Sequence, residues 1–130
     1  MPPLERIETC RDFLRISGLS SQARAIGLLG LAEGLRLSGD PAASISPIDE
    51  AIRLFPSMSP AYLSRGSAHL ALGDLDAALA DASQALEIDR RNPAGFLLRA
   101  EAYLRQGAPA FALGDLDEAV DIAPNVARIR

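Results

Sequence analysis

Large and small apolar groups return along this chain with a step of 34 residues. Large groups fall at Leu28, Tyr62 and Phe96, small ones at Ala32, Gly66 and Ala100, large ones again at Leu35, His69 and Tyr103, and branched aliphatics at Leu54, Ile88 and Ile122. Gly39, Gly73 and Gly107 share the register, and so do Ala51, Ala85 and Ala119. Helical spacing inside a unit, repeated at a fixed step, predicts stacked helix pairs. Each unit reads as helix, glycine turn, helix, then Pro56, Arg90 or Pro124.

Local chemistry sets the boundaries. Ser20 or Ser21 caps a helix running to about Leu37, and Asp40-Pro41 supplies an N-cap and a first-turn proline for the next. Ser59-Pro60 and Asn92-Pro93 open the first helices of the later units, Asp74 caps after Gly73, and Pro109 starts the last helix after Gly107. The glycines suit the left-handed position that ends a helix. Ahead of these, Leu4, Ile7, Cys10 and Leu14 lie at helical spacing, which predicts an additional helix over 3–17, packed like the second helix of an incomplete preceding unit.

Two segments compete with this register. Ala71-Leu72-Gly73-Asp74-Leu75-Asp76 returns as Ala112-Leu113-Gly114-Asp115-Leu116-Asp117, a step of 41. A turn at Gly114 would leave too few residues before Pro124 for another helix, so Gly114 is expected inside the last helix, at a cost of about 1 kcal/mol relative to alanine. Pro47 falls where the first unit's second helix should run, and a mid-helix proline costs about 3 kcal/mol or more. Ser46-Pro47-Ile48-Asp49 looks like a cap and proline start, so that helix is expected to be kinked or shortened to about 47–55.

The 34-residue step, the glycine turns and the large-small-large pattern resemble the tetratricopeptide repeat (TPR) family, of a type found in bacteria without assigned role. The repeats would be 25–58, 59–92 and 93–126 of one domain over 1–130, with a tail at 127–130. The resemblance implies an all-α superhelix of about seven antiparallel helices and a non-enzymatic protein-binding scaffold.

Composition changes this picture little. Of 130 residues 48% are hydrophobic and 5% aromatic, so the core is built from alanine and leucine rather than large rings. Thirteen basic residues dispersed among seventeen acids, for a net charge of -4, do not make a nucleic-acid footprint. The most apolar stretch, Ala23 to Leu37, is interrupted by Arg24, Glu33 and Arg36 and is too short for a membrane span. The start Met1-Pro2-Pro3-Leu4 is not a signal peptide, which points to the cytoplasm, with the periplasm as the alternative if a leader was removed.

No constellation of reactive residues stands out. His69 falls at a packing position with no second ligand, and Cys10 on an apolar face reads as a small core residue. Asp115, Asp117, Glu118 and Asp121 lie on one helix rather than around a calcium loop and read as a solvated outer face. Gly27, Gly30 and Gly34 follow no strand, so they mark close helix approach rather than a dinucleotide fingerprint. Ser20, Ser21, Thr9 and Tyr62 have no base within their motifs. The expectation is no enzyme, no cofactor and no metal.

In the TPR family the first helices of successive units line a concave groove for a peptide or protein segment. Carried over by position, the groove here comprises Ile26, Leu29, Glu33 and Arg36, then Leu63, Ser67 and Leu70, then Leu97, Glu101 and Leu104. Chaperone-binding members clamp a C-terminal carboxylate with Lys, Asn and Arg, whereas Leu29, Glu33, Leu63, Ser67, Leu97 and Leu98 stand at or beside those sites. The expected ligand is apolar and neutral or basic, with Asp81 and Asp121 on the convex back. The second outcome is self-association, for example as a homodimer, through an uncapped last helix with Leu116, Val120 or their neighbours uncovered, or a natural chain that continues past residue 130.

Overall fold

The computed structural model describes residues 2–123. Seven helices follow one another with no strand among the described residues: α1 (Pro3–Leu14), α2 (Ser21–Leu37), α3 (Pro41–Leu54), α4 (Ser59–Ala71), α5 (Leu75–Ile88), α6 (Pro93–Gln106) and α7 (Pro109–Ile122). Each packs on the next. In addition α2 touches α4 and α4 touches α6, while α3, α5 and α7 make no contact with one another. The first helices of the pairs therefore form an inner row, and the second helices splay outward as in a TPR solenoid.

The same chemistry makes all three hairpin turns. Gly39, Gly73 and Gly107 have φ of 96°, 81° and 80°, which a side chain disfavours. The following amide then reaches back to a carbonyl of the closing helix: Asp40 N–H to Leu35 O at 3.0 Å, Asp74 to His69 at 2.9 Å and Ala108 to Tyr103 at 2.9 Å. Asp40, Asp74 and Asn92 accept amide hydrogen bonds at helix starts, and Ser20 accepts from Ala23 N–H at 3.0 Å. α4 departs from this device: Met58 is its cap residue, without a side-chain bond, and Ser59 is already helical and buried.

The additional N-terminal helix is present but stops at Leu14, short of 17: the amides of Arg15 and Ile16 bond three residues back, to Asp12 O and Phe13 O, and Gly18 is left-handed in the link to α2. It lies against α2 where three glycines leave room. A Cβ on Gly27 would sit 2.7 Å from the Phe13 ring, one on Gly30 2.9 Å from Cys10 Sγ, and one on Gly34 2.9 Å from Ile7 Cγ1. Cys10 is thus a packing residue on α2, as its helix position predicts.

α3 corrects the expectation at Pro47. The helix runs unbroken from Pro41 to Leu54 with Pro47 inside it. Ser46 is no cap; the hydroxyl of Ser44 instead donates to Pro41 O at 2.6 Å. Buried Ser44, Ile48 and Ala51 hold both sides of the proline, Ile48 against Ala32 and Ala61, and Ala51 against Ala25 and Leu28. Packing of that face overrides the lost amide bond to Ala43. α7 runs through Gly114, so the step of 41 marks no turn. The end of the third repeat and the tail 127–130 lie outside the described residues.

Candidate functional site

The inner row carries the residues expected to bind a peptide. Ile26 and Leu104, at opposite ends, are 56% and 53% exposed. Leu29, Leu63 and Leu97 are half-buried; Leu29 packs against the clusters that contain Leu28 and Ala32, and Leu63 against the cluster of Leu70 and Ala78. Ser67 is half-buried between them on α4. Leu70 is the exception. At 6% exposure it belongs to the core with Ala78, Ala82, Leu98 and Ala102, because α6 closes over the end of α4. Its counterpart on α6, Leu104, stays exposed.

The charges of this row are paired, which sequence spacing alone did not reveal. Arg36 donates to Glu33 twice, Nη2 to Oε1 at 2.6 Å and Nε to Oε2 at 3.2 Å. Arg105 donates to Glu101 at 3.1 Å and, through its other nitrogen, to the Leu70 carbonyl at 3.0 Å. Glu33 and Glu101 are therefore half-neutralised within their own helices and do not make the row acidic. No lysine or asparagine stands on it at the positions carried over from the family.

The outer surface holds the polar network that the sequence reading missed. Arg65 on α4 forms a two-pronged pair with Asp81 on α5, Nε–Oδ2 3.0 Å and Nη2–Oδ1 2.8 Å, and its Nη1 reaches Asp49 on α3 at 3.0 Å. Arg99 on α6 repeats this with Asp115 on α7 at 2.9 and 2.8 Å, its Nη1 meeting the Ser83 hydroxyl at 3.3 Å. Both guanidinium groups are held above their ordinary pKa, chiefly by these side-chain hydrogen bonds. Asp81 and Asp115 are only 5% and 6% exposed. The expectation that Asp81 lies free on the back and Asp115 on a solvated face is overturned, since each is a buried partner of an arginine. Asp117, Glu118 and Asp121 are exposed as predicted.

A signal for these pairs is present in the sequence. Arg65 with Asp81 and Arg99 with Asp115 recur at the 34-residue step, and the first pair of helices has Leu31 and Pro47 at the same places. His69 packs beside Asp81, Nε2 3.8 Å from Oδ2, in an open notch lined also by Ile45 and Asp49. Among the described residues no three His, Cys, Asp or Glu side chains are grouped to hold a metal ion. None of the described helices is long and apolar enough to cross a membrane.

The TPR repeat family matches residues 66–107. Protein FlbA of Caulobacter vibrioides is 50% identical over 48 residues. Residues 66–107 match the TPR repeat, and the chain has the fold of a TPR solenoid. That alignment covers 37% of this chain and 8% of FlbA, so the chain spans under a tenth of that relative. Among solved structures, MamA superposes with a TM-score of 0.81 over 97% of this chain and 71% of MamA, at 20% identity. The first TPR of Spaghetti (RPAP3), solved bound to the HSP90 peptide SRMEEVD, gives 0.78 over 80% of this chain and 82% of its own, at 18% identity. At such identities the likeness is one of fold, and this chain shares its helix-pair architecture with both.

Proposed function

We propose that the chain is a non-enzymatic adaptor that holds a segment of a partner protein on the inner row, through apolar anchors rather than a carboxylate clamp. The observation that carries this is the line of half-buried and exposed aliphatic side chains Ile26, Leu29, Leu63, Leu97 and Leu104, flanked by charges that are already paired. Helix-lined grooves take peptides through a few apolar anchors, with polar groups setting orientation. The TPR of RPAP3 accepts a peptide ending in acidic residues, and that mode needs fixed cationic donors. Here the two cations of the row, Arg36 and Arg105, are bonded to Glu33 and Glu101. The ligand expected here is therefore apolar and near neutral.

Selection of a random peptide library on the folded chain tests this. The enriched peptides are expected to share aliphatic or aromatic positions without an acidic C-terminus. Leu63→Arg and Leu97→Arg bury an unpaired charge under the bound peptide and are expected to weaken binding by about 2 kcal/mol or more. Gln84→Arg and Asp121→Arg, on exposed positions of α5 and α7, are expected to leave it unchanged. Enrichment of acidic C-termini, or loss of binding in the second set only, contradicts the proposal.

A further inference from the structure

We propose that the open notch between α3, α4 and α5 on the outer surface is a binding site for a guanidinium group, independent of the inner row. It encloses about 360 Å³, with Ile45, Ala77 and Ala80 as apolar walls and Asp49, His69 and Asp81 as polar groups. Arg65 completes the lining, donating to both oxygens of Asp81 but only to Oδ1 of Asp49. Asp49 Oδ2 therefore has no hydrogen-bond partner among the described residues, on a side chain that is 50% exposed. The His69 ring is unbonded as well, since its Nε2 lies 3.8 Å from Asp81 Oδ2, beyond hydrogen-bond reach.

The same place one repeat further on is covered. At the 34-residue step Ser83 stands for Asp49, Arg99 for Arg65, Tyr103 for His69, Phe111 for Ala77 and Asp115 for Asp81. Phe111 lies over the Tyr103 ring, centroids 5.3 Å apart and planes inclined by 30°, and the uncharged Ser83 receives Arg99. One guanidinium there faces one carboxylate. In the notch Ala77 leaves the place of that second ring open beside His69, and Asp49 adds a second carboxylate around Arg65. With an uncharged imidazole, negative charge exceeds positive.

An aromatic ring, a carboxylate with a free oxygen and short apolar walls together select a planar cation on an alkyl stem. A guanidinium stacks on ring faces, donates in a fork to carboxylates and is more weakly hydrated than an ammonium, and its methylenes suit Ile45, Ala77 and Ala80. An anion would be repelled by Asp49. A divalent metal lacks ligands, because Arg65 already takes both oxygens of Asp81. All these residues lie between positions 45 and 81, so the site is complete within described helices. Arginine side chains of a partner and small guanidino compounds carry the same group.

The full chain is titrated at pH 8 and low salt with N-acetyl-arginine amide, free arginine and N-acetyl-lysine amide, followed by amide chemical shifts. Saturable shifts are expected at Ile45, Asp49, His69 and Ala77, with a Kd on the order of 1 mM and the capped arginine bound about threefold or more tighter than the capped lysine. Asp49→Ser, which installs the residue of the next repeat, should weaken binding about fivefold or more. Ala77→Phe fills the place over His69 and should abolish it, as should Ala80→Arg, which brings a guanidinium of its own from an exposed position. Circular dichroism confirms that each variant is folded. Ile26→Arg on the inner row should change nothing, so failure here is distinct from failure of the groove. Tighter binding of capped than of free arginine supports a partner's side chain as the source, and the reverse supports a small guanidino compound. Absence of saturable shifts, equal binding of lysine, or insensitivity to Asp49→Ser and Ala80→Arg overturns the proposal.

Discussion

Gly34 and Gly114 lack a side chain for opposite physical reasons, and alanine at each gives opposite results. A Cβ at Gly34 meets Ile7 Cγ1 at 2.9 Å and the Pro3 carbonyl at 3.3 Å, so Gly34→Ala must push α1 off α2 and is expected to destabilise by about 1–2 kcal/mol despite better helix propensity. At Gly114 a Cβ meets nothing within 4 Å, so Gly114→Ala keeps only the propensity gain and is expected to stabilise by about 1 kcal/mol. Urea melts of both variants check the pair of signs; two changes of the same sign contradict the packing described. Asp81 is tested the same way. Asp81→Ala leaves Arg65 with Asp49 alone and is expected to cost about 3 kcal/mol, whereas Asp121→Ala, exposed on α7, should stay within about 0.5 kcal/mol. Residue type concealed this difference, because an aspartate on a helix reads as solvated. The recurrence of Arg65 and Arg99 sixteen residues before Asp81 and Asp115 is what distinguishes the buried carboxylates.

At the scale of single helices, capping and turn chemistry were legible: the glycines at left-handed φ, Asp40, Asp74 and Asn92 as caps, and Gly114 inside α7 all follow from residue type and spacing. Pro47 was not, because its cost is local while the compensation comes from Ile48 and Ala51 packing on α2, a tertiary effect that helix rules do not contain. α3 therefore keeps its length with one amide bond missing. Pro47→Ala restores that bond and is expected to raise stability by about 2 kcal/mol, the helix gain less the proline's restriction of the unfolded chain. The far-ultraviolet dichroism should stay nearly unchanged. A large gain in helical signal would mean that α3 is broken at Pro47 in solution, and an unchanged melting temperature would mean that the missing bond carries no cost.

For the whole molecule, contact between α2, α4 and α6 but not between α3, α5 and α7 makes one side an inner row, and that follows from the repeat register alone. What lies on the row was only partly legible. The aliphatic character of Leu29, Leu63 and Leu97 could be read from position, while the burial of Leu70 and the pairing of Glu33 and Glu101 depend on distances between neighbouring side chains. The central claim is that this row, as it stands, takes an apolar segment. Amide chemical-shift mapping of the folded chain with a peptide from the library selection tests it most directly. The account predicts shifts concentrated at Ile26, Leu29, Leu63, Ser67 and Leu97, with Ala80, Gln84 and Asp117 unmoved; shifts confined to α5 and α7 would contradict it.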